Sequence, residues 1–200
     1  MINYCESPAI EEPISLFDAK VVCAIDPDLI DEDTHIYRLI RAARLFVQND
    51  LTAHGNPLLL ARETWVNGWG YWPRHSWVQL VKLPAVSVVS VAYHDANFDQ
   101  MVEMDLGDFY LDPYQSRVLY TPGAWPLVSL GLMGLRATFT CGYDKNTVAP
   151  ELKQAMLSLI GHWFINREAV VAGTEYRAEA AIVPYGYSDL VAPYRSRRVS

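Results

Sequence analysis

Hydrophobic and polar residues follow two different periods along this chain of 200 residues. In two stretches near the N-terminus, and again over residues 148–168, apolar residues recur every three or four positions, as in an amphipathic helix. Between about residues 58 and 143 they tend to recur at every second position, as in a half-buried strand. The pattern therefore predicts helices at both ends of the chain and an antiparallel sheet between them.

Two helices are predicted in the N-terminal quarter. Ser15 and Asp18 have the spacing of a capping arrangement, and Pro27 ends the first helical segment. The second helix is predicted over residues 34–49, where apolar residues occupy one face.

The polar side of the second predicted helix carries Arg38, Arg41 and Arg44. None of them has an acidic residue three or four positions away, so the helix does not neutralise them itself. An acidic run over residues 26–33 precedes the helix. We interpret the arginines as subunit-interface candidates, because a head-to-tail contact would pair them with such a run on another copy. Solvated arginines are the alternative interpretation.

Seven candidate strands cover residues 58–65, 77–82, 86–93, 100–104, 109–111, 117–121 and 132–143. The last has the clearest alternation of apolar and polar residues. Residues 86–93 are apolar on both faces, which predicts a central strand that is covered on both sides.

The segment of residues 148–168 predicts a long C-terminal helix. Pro150 stands at a position where a first-turn proline is tolerated, and the apolar face covers about half of the helix. Ser158 and Gly161 are small enough for another backbone to approach, and Trp163 lies on the apolar face. These three residues are further subunit-interface candidates.

Together these elements predict an α+β protein. In it, N-terminal helices and a long C-terminal helix pack as a helical bundle, with an inserted antiparallel β subdomain. The expected parts are an N-terminal helical part (1–56), the β subdomain (57–146), the C-terminal helix with a loop (147–186) and a C-terminal tail (187–200).

Composition excludes several classes of protein. With 51% apolar and 20% charged residues the chain is typical of globular proteins, and a formal net charge of −7 argues against a general nucleic-acid-binding surface. The three cysteines are widely spaced, which indicates neither a disulfide framework nor a metal site. We expect no signal peptide and no membrane-spanning segment.

Motifs of catalysis and of cofactor or metal binding are absent from the sequence. The acidic run lacks the central glycine and the final glutamate of a calcium loop in register, and no two histidines have the spacing of a helical zinc site. No nucleophile elbow, phosphate loop or dinucleotide fingerprint occurs. We therefore expect no catalytic residue, no cofactor and no metal.

Aromatic residues cluster around a glycine-rich turn, namely Trp65, Trp69, Tyr71, Trp72 and Trp77. One interpretation is a contact platform for a carbohydrate or a protein partner. The other is a loop that folds back onto the sheet.

Several short segments, in their order and spacing, resemble the head–tail connector (adaptor) proteins of long-tailed bacteriophages, prophages and gene transfer agents. The matching segments are Pro13-Ile-Ser-Leu16, Leu39-Ile40, Ala43-Arg44, Leu83-Pro84, Trp125-Pro126, Cys141-Gly142-Tyr143, Pro150-Glu-Leu-Lys153, His162-Trp163, Asn166-Arg-Glu168 and Pro193-Tyr-Arg195. They are spread over nearly the whole chain. The chain departs from the family in its acidic lead-in before the second helix and at Gln48, where an acidic residue is usual.

The resemblance implies a structural protein of the virion neck, assembled in the bacterial cytoplasm, and not an enzyme. Its partners would be the portal protein, a stopper or tail-completion protein, and further copies of itself in a dodecameric ring through which DNA passes. The C-terminal segment of such adaptors docks on the portal. The implied portal-binding residues of this chain are Tyr187, Leu190, Tyr194, Arg195, Arg197 and Arg198. A carbohydrate- or protein-binding β module that uses the aromatic loop of residues 65–77 remains the alternative function.

Overall fold

A computed structural model describes residues 2–53, 56–70, 75–95, 100–113, 115–122, 134–166 and 183–195 of the chain. The chain divides into two compact units, each built from two stretches of sequence. The β unit comprises Met1–Ile10 and Asn56–Tyr143, and the α unit comprises Glu11–Gly55 and Asp144–Ser200.

The β unit contains a five-stranded and a three-stranded antiparallel sheet. The larger sheet has the strand order β1-β4-β10-β6-β7, with bounds β1 Ile2–Ser7, β4 Glu63–Trp69, β10 Leu135–Cys141, β6 Ala85–Asp95 and β7 Gln100–Glu103. The smaller sheet has the order β5-β9-β8, with bounds β5 Trp77–Gln79, β9 Arg117–Tyr120 and β8 Phe109–Asp112. Two short strands, β2 Thr52–Ala53 and β3 Asn56–Pro57, flank the boundary of the units, and a 3-10 turn, Leu106–Asp108, precedes β8.

Strand β10 is the centre of the larger sheet, a place that the sequence pattern predicts for residues 86–93. Its residue Phe139 lies opposite Trp65 of β4 on one side and opposite Val88 of β6 on the other. Phe139 is fully buried, and burial of such a side chain contributes about 1.5–3 kcal/mol. Val118 of β9 and Leu80, which directly follows β5, are buried in the same core. Apolar side chains of β10 thus form the middle of the β-unit core.

A glycine ends strand β10 for a steric reason. Gly142 has a φ of 96°, and a Cβ atom there would lie 2.0 Å from the carbonyl oxygen of Ala61. Only glycine tolerates both the left-handed backbone and this approach. The Cys141-Gly142-Tyr143 segment that contributes to the family resemblance therefore has a structural cause.

The α unit contains four α-helices among its described residues, with bounds α1 Leu16–Val22, α2 Asp33–Asp50, α3 Pro150–Ile165 and α4 Tyr187–Val191. A 3-10 turn, Ala192–Tyr194, follows α4. The Ser15 side chain accepts a 3.0 Å hydrogen bond from the Asp18 amide, which confirms the predicted cap of α1. Helix α3 begins at Pro150, also as predicted.

The predicted fold class is wrong. Eight strands in two antiparallel sheets make the described chain strand-rich, and its four α-helices are short, so no bundle is built around a long C-terminal helix. Periodicity continues to residue 168, but the structure ends α3 at Ile165. The N-terminal residues Ile2–Ser7, to which no element was assigned, form a strand instead.

Strand β6 lies inside the sheet, between β10 and the edge strand β7, and it is not covered on both faces as predicted. Val86 and Val89 are 39% and 49% exposed. Apolar residues on both faces of a strand therefore do not require two covered faces. No described helix combines the length and hydropathy that crossing a lipid bilayer requires.

A buried lysine organises the acidic run before α2. The Lys20 ammonium group is 2% exposed and donates hydrogen bonds to the carbonyl oxygens of Pro27 (2.9 Å) and Leu29 (2.8 Å). It also forms an ion pair with Asp33 at the start of α2. A side chain of α1 thus supplies the positive charge at this loop.

We expect Lys20→Met to lower the free energy of unfolding by about 3 kcal/mol, because it leaves Asp33 and two carbonyl oxygens without their buried cation. Urea denaturation measures this change. Lys145→Met is the control, since Lys145 pairs with Glu11 at 3.1 Å in an exposed position, and its loss should cost less than about 1 kcal/mol. Equal effects of the two substitutions would contradict a special role of Lys20.

Candidate interaction surfaces

Helix α2 presents a mixed arginine and apolar surface to solvent. Tyr37, Arg41 and Leu45 follow one another at intervals of four residues, and Arg38 lies in the adjacent row. All four are exposed, Tyr37 by 54% and Leu45 by 42%. Arg38 and Arg41 make no hydrogen bond or ion pair with any residue that the structure describes. We call these four residues the α2 strip.

The third arginine of the predicted stripe does not belong to this surface. Arg44 is 3% exposed, and its Nε donates to the Glu12 carboxylate at 2.7 Å. A second nitrogen donates to the Gln48 side chain at 2.9 Å. The arginine is therefore neutralised from outside the helix, by Glu12, which the helical spacing considered above does not reach. Gln48, where the resemblance led us to expect an acid, accepts this hydrogen bond as a neutral amide.

The small and aromatic residues of α3 pack inside the α unit. A Cβ atom on Gly161 would lie 2.9 Å from a methyl group of Val22, so the close approach that this glycine permits is to α1. The Trp163 ring meets the Phe46 ring edge-on at 5.7 Å. Ser158 donates to the Gln154 carbonyl oxygen and is partly exposed. Trp163 is also partly exposed, so Ser158 and Trp163 retain surface for a contact, whereas Gly161 is buried.

The first of the predicted portal-binding residues, Tyr187, lies in a segment that packs against the other helices of the α unit. Tyr187 is 3% exposed and Val191 is fully buried, and the Tyr187 ring meets Phe46 at 5.7 Å. Leu190 is partly exposed. Arg197 and Arg198 lie outside the described residues.

A bidentate ion pair fixes the end of this segment. The Arg195 guanidinium donates to both carboxylate oxygens of Asp50, the shortest contact being 2.6 Å, and also to the Ser188 hydroxyl at 3.0 Å. These hydrogen bonds to Asp50 raise the pKa of Arg195 further. The Tyr187 hydroxyl donates to the same carboxylate at 3.2 Å, and burial, followed by the charge of Asp50, raises the pKa of Tyr187.

A second contact joins this segment to the start of α3. The Tyr194 hydroxyl donates to the Glu151 carboxylate at 2.9 Å. Contacts at both of its ends thus hold the segment from Tyr187 to Arg195 on the rest of the α unit. We call Tyr187–Arg195 the C-terminal clamp.

The aromatic loop offers little free ring surface. Trp69 is buried in the core of the β unit. The Trp65 ring lies under the Lys82 ammonium group at 4.2 Å, and its Nε1 donates to Glu63 at 2.8 Å. Trp77 stacks on His75 and lies 4.1 Å from the Arg117 guanidinium. Tyr71 and Trp72 lie outside the described residues. The described tryptophans thus favour the interpretation of a loop folded onto the sheet.

The described residues include no group of three His, Cys, Asp or Glu side chains that could hold a metal ion. Cys141 is buried, and its thiol donates to the Glu63 carbonyl oxygen at 3.6 Å. Burial, followed by the charge of Glu63, raises the pKa of Cys141, so this thiol is a poor nucleophile.

The fold is similar to that of solved structures over the whole length of the chain. A chain from the neck of an empty gene transfer agent (GTA) particle, computed with C6 symmetry, is 17% identical, with a TM-score of 0.70 over 100% of this chain and 98% of that one. A chain from the virion of a native GTA particle (17% identity, TM-score 0.68) has the same coverage. A chain from the neck of a native GTA particle computed with C12 symmetry is 18% identical, with a TM-score of 0.67 and again the same coverage.

The chain has the fold of a GTA neck protein. The resemblance suggested by the sequence is thereby confirmed. No protein-family model and no curated protein matches the sequence.

Two acidic residues of these surfaces were missed by sequence reasoning. Asp50 and Glu12 bind Arg195 and Arg44, which lie 145 and 32 residues away in the sequence. No local spacing rule connects such distant positions. One hint of these contacts was present in the sequence, which was that the arginines of α2 have no acidic residue at helical spacing.

We expect Arg195→Ala to loosen the C-terminal clamp without unfolding the α unit. The ion pair is partly exposed and therefore contributes about 1 kcal/mol, so amide hydrogen exchange over residues 187–194 should accelerate about fivefold. Arg38→Ala, which removes an exposed arginine without a described partner, is the control and should leave exchange unchanged. Unaltered exchange in Arg195→Ala would show that the pair does not hold the clamp.

The Glu151 carboxyl provides a second probe of the clamp. Its own backbone N–H at the start of α3, and then the Tyr194 hydroxyl, lower the pKa of Glu151. The lowered pKa stabilises the folded state above the ordinary pKa of glutamate, and this contribution disappears as the pH falls through the folded value. We expect Tyr194→Phe to raise the Glu151 pKa only part of the way back, because the backbone hydrogen bond remains. An NMR titration measures it, and an unchanged pKa would contradict the contact.

Proposed function

We propose that the chain is a structural adaptor of the neck of a gene transfer agent or tailed phage. In this role it forms a dodecameric ring between the portal and the stopper or tail-completion proteins, with DNA passing through the channel. The observation that carries the proposal is the full-length likeness to chains from GTA necks, two of them computed with C6 and C12 symmetry. The protein would be located in the virion neck and, during assembly, in the bacterial cytoplasm.

A catalytic role is not part of the proposal. The sequence has no motif of nucleophilic catalysis, and its described residues have no metal cluster. The carbohydrate-binding alternative is less well supported, because a sugar platform needs an open aromatic face and the described tryptophans are occupied by Lys82, Arg117 and the core.

The charge of the chain suits a conduit for DNA. Every lysine or arginine that touches a phosphate releases counterions and adds affinity, which would slow the passage of DNA. With 23 acidic residues against 16 Lys and Arg, the chain as a whole repels phosphate. We therefore propose that the channel-facing surface is neutral or negative.

Portal docking is assigned to the residues that follow the C-terminal clamp. Tyr187 is committed to the core of the α unit and Arg195 to Asp50, so Arg197 and Arg198 are the better candidates for an acidic portal surface. Leu190 and Tyr194, which keep partial exposure, would flank that contact. The clamp would fix the point at which the basic residues leave the α unit.

We expect deletion of residues 196–200 to abolish capture of the chain by its portal ring while the thermal unfolding of the chain stays unchanged. The experiment is a pull-down on immobilised portal, with the bound complex imaged by electron microscopy. Arg197→Glu with Arg198→Glu should have the same effect, since it repels an acidic surface.

A matched control variant changes the net charge by the same amount, but at positions outside the tail. Arg62→Glu with Lys145→Glu reverses two exposed cations outside the clamp and should leave portal capture intact. Capture of the truncated chain at the wild-type level would remove the tail assignment. Failure of the wild-type chain to bind the portal would remove the proposed function itself.

A further inference from the structure

The α2 strip combines the side chains that protein interfaces favour. Tyrosine and arginine are enriched at interfaces, and here Tyr37 and Leu45 expose apolar surface beside Arg38 and Arg41. The opposite face of α2, with Ile36 and Ile40, is buried, so the strip is the outward side of a helix that is already packed. No described residue neutralises the two arginines of the strip.

The acidic loop before α2 offers the complementary surface. Asp28 and Asp31 are exposed, and between them Leu29 and Ile30 are 45% and 74% exposed. We call residues 28–31 the acidic loop. Its apolar side chains face water, and its carboxylates form no ion pair with a described cation.

The acidic loop is held in shape before any partner arrives. Lys20 binds the carbonyl oxygens of Pro27 and Leu29, and the Leu29 amide donates to the Asp26 carbonyl oxygen at 3.0 Å. The Asp33 amide donates to the Ile30 carbonyl oxygen at 3.1 Å. A preordered loop loses little conformational entropy when it binds, which favours a specific contact.

We propose that the α2 strip of one copy binds the acidic loop of the next copy. Arg38 and Arg41 would face Asp28 and Asp31, while the exposed apolar residues of the two surfaces bury one another. Each copy would use its strip toward one neighbour and its loop toward the other, which is a head-to-tail contact, and repetition of such a contact closes a ring when its rotation allows. The inference rests on the proposed function for its ring and names the surfaces that form it.

The test uses two reciprocal charge reversals in the full chain. The strip variant carries Arg38→Glu and Arg41→Glu, and the loop variant carries Asp28→Lys and Asp31→Lys. Each variant places like charges across its own contact, and we expect each to weaken self-association at least about tenfold. Mixed in equal amounts, the two variants pair opposite charges at every contact, so association should return to near the wild-type level.

Sedimentation velocity at low ionic strength, over a series of protein concentrations, measures the association, and circular dichroism verifies folding. The control variant Arg62→Glu with Lys145→Glu has the net charge of the strip variant and should associate like the wild type. The proposal is overturned if either reversal leaves association unchanged, if the mixture does not recover, or if the wild type stays monomeric throughout.

Portal capture separates this inference from the proposed function. A strip variant that no longer binds the portal but still self-associates would show that the α2 strip is a portal surface, which overturns the inference alone. Variants that lose association while wild-type chains still bind the portal support it. A wild type that fails to bind the portal would refute the proposed function, whatever the sedimentation result.

Discussion

The α unit depends on the burial of one face of α2. Ile36, Ile40, Ala43 and Val47 are at most 1% exposed, and Phe46 beside them meets rings of α3 and α4. This burial fixes the rotation of the helix about its own axis, since turning it would expose four apolar side chains at about 1–3 kcal/mol each. Once the rotation of α2 is fixed, the sequence position of each polar residue decides which way its side chain faces. Asp50 lies at the end that meets the C-terminal clamp.

Local structure was predictable wherever a short-range rule decides it. The Ser15 cap, the proline start of α3 and the alternation within β10 each depend on residues a few positions apart, and each is found in the structure. Strand β1 was missed for a physical reason. All six of its residues are exposed, so it is held by backbone pairing with β4, and backbone pairing leaves no mark on the hydrophobic pattern.

The interaction surfaces were less predictable because long-range contacts decide which charges remain free. Arg38, Arg41 and Arg44 have the same chemistry and nearly the same spacing, yet only Arg44 turns inward. Its partner Glu12 comes from the segment before α1, where no helical spacing leads to it. A sequence can thus give the number of arginines without internal helical partners. It cannot say which of them the fold will neutralise.

The ordered C-terminal clamp changes the energetics of the proposed docking. A segment that orders on binding reduces affinity by about 1–2 kcal/mol for each residue fixed, so a disordered Tyr187–Arg195 would have cost on the order of 10 kcal/mol. In this chain the burial of Tyr187 and Val191, together with the Asp50 ion pair, offsets that cost during folding. In the proposed docking, affinity for a portal would then depend mainly on the few residues beyond Arg195.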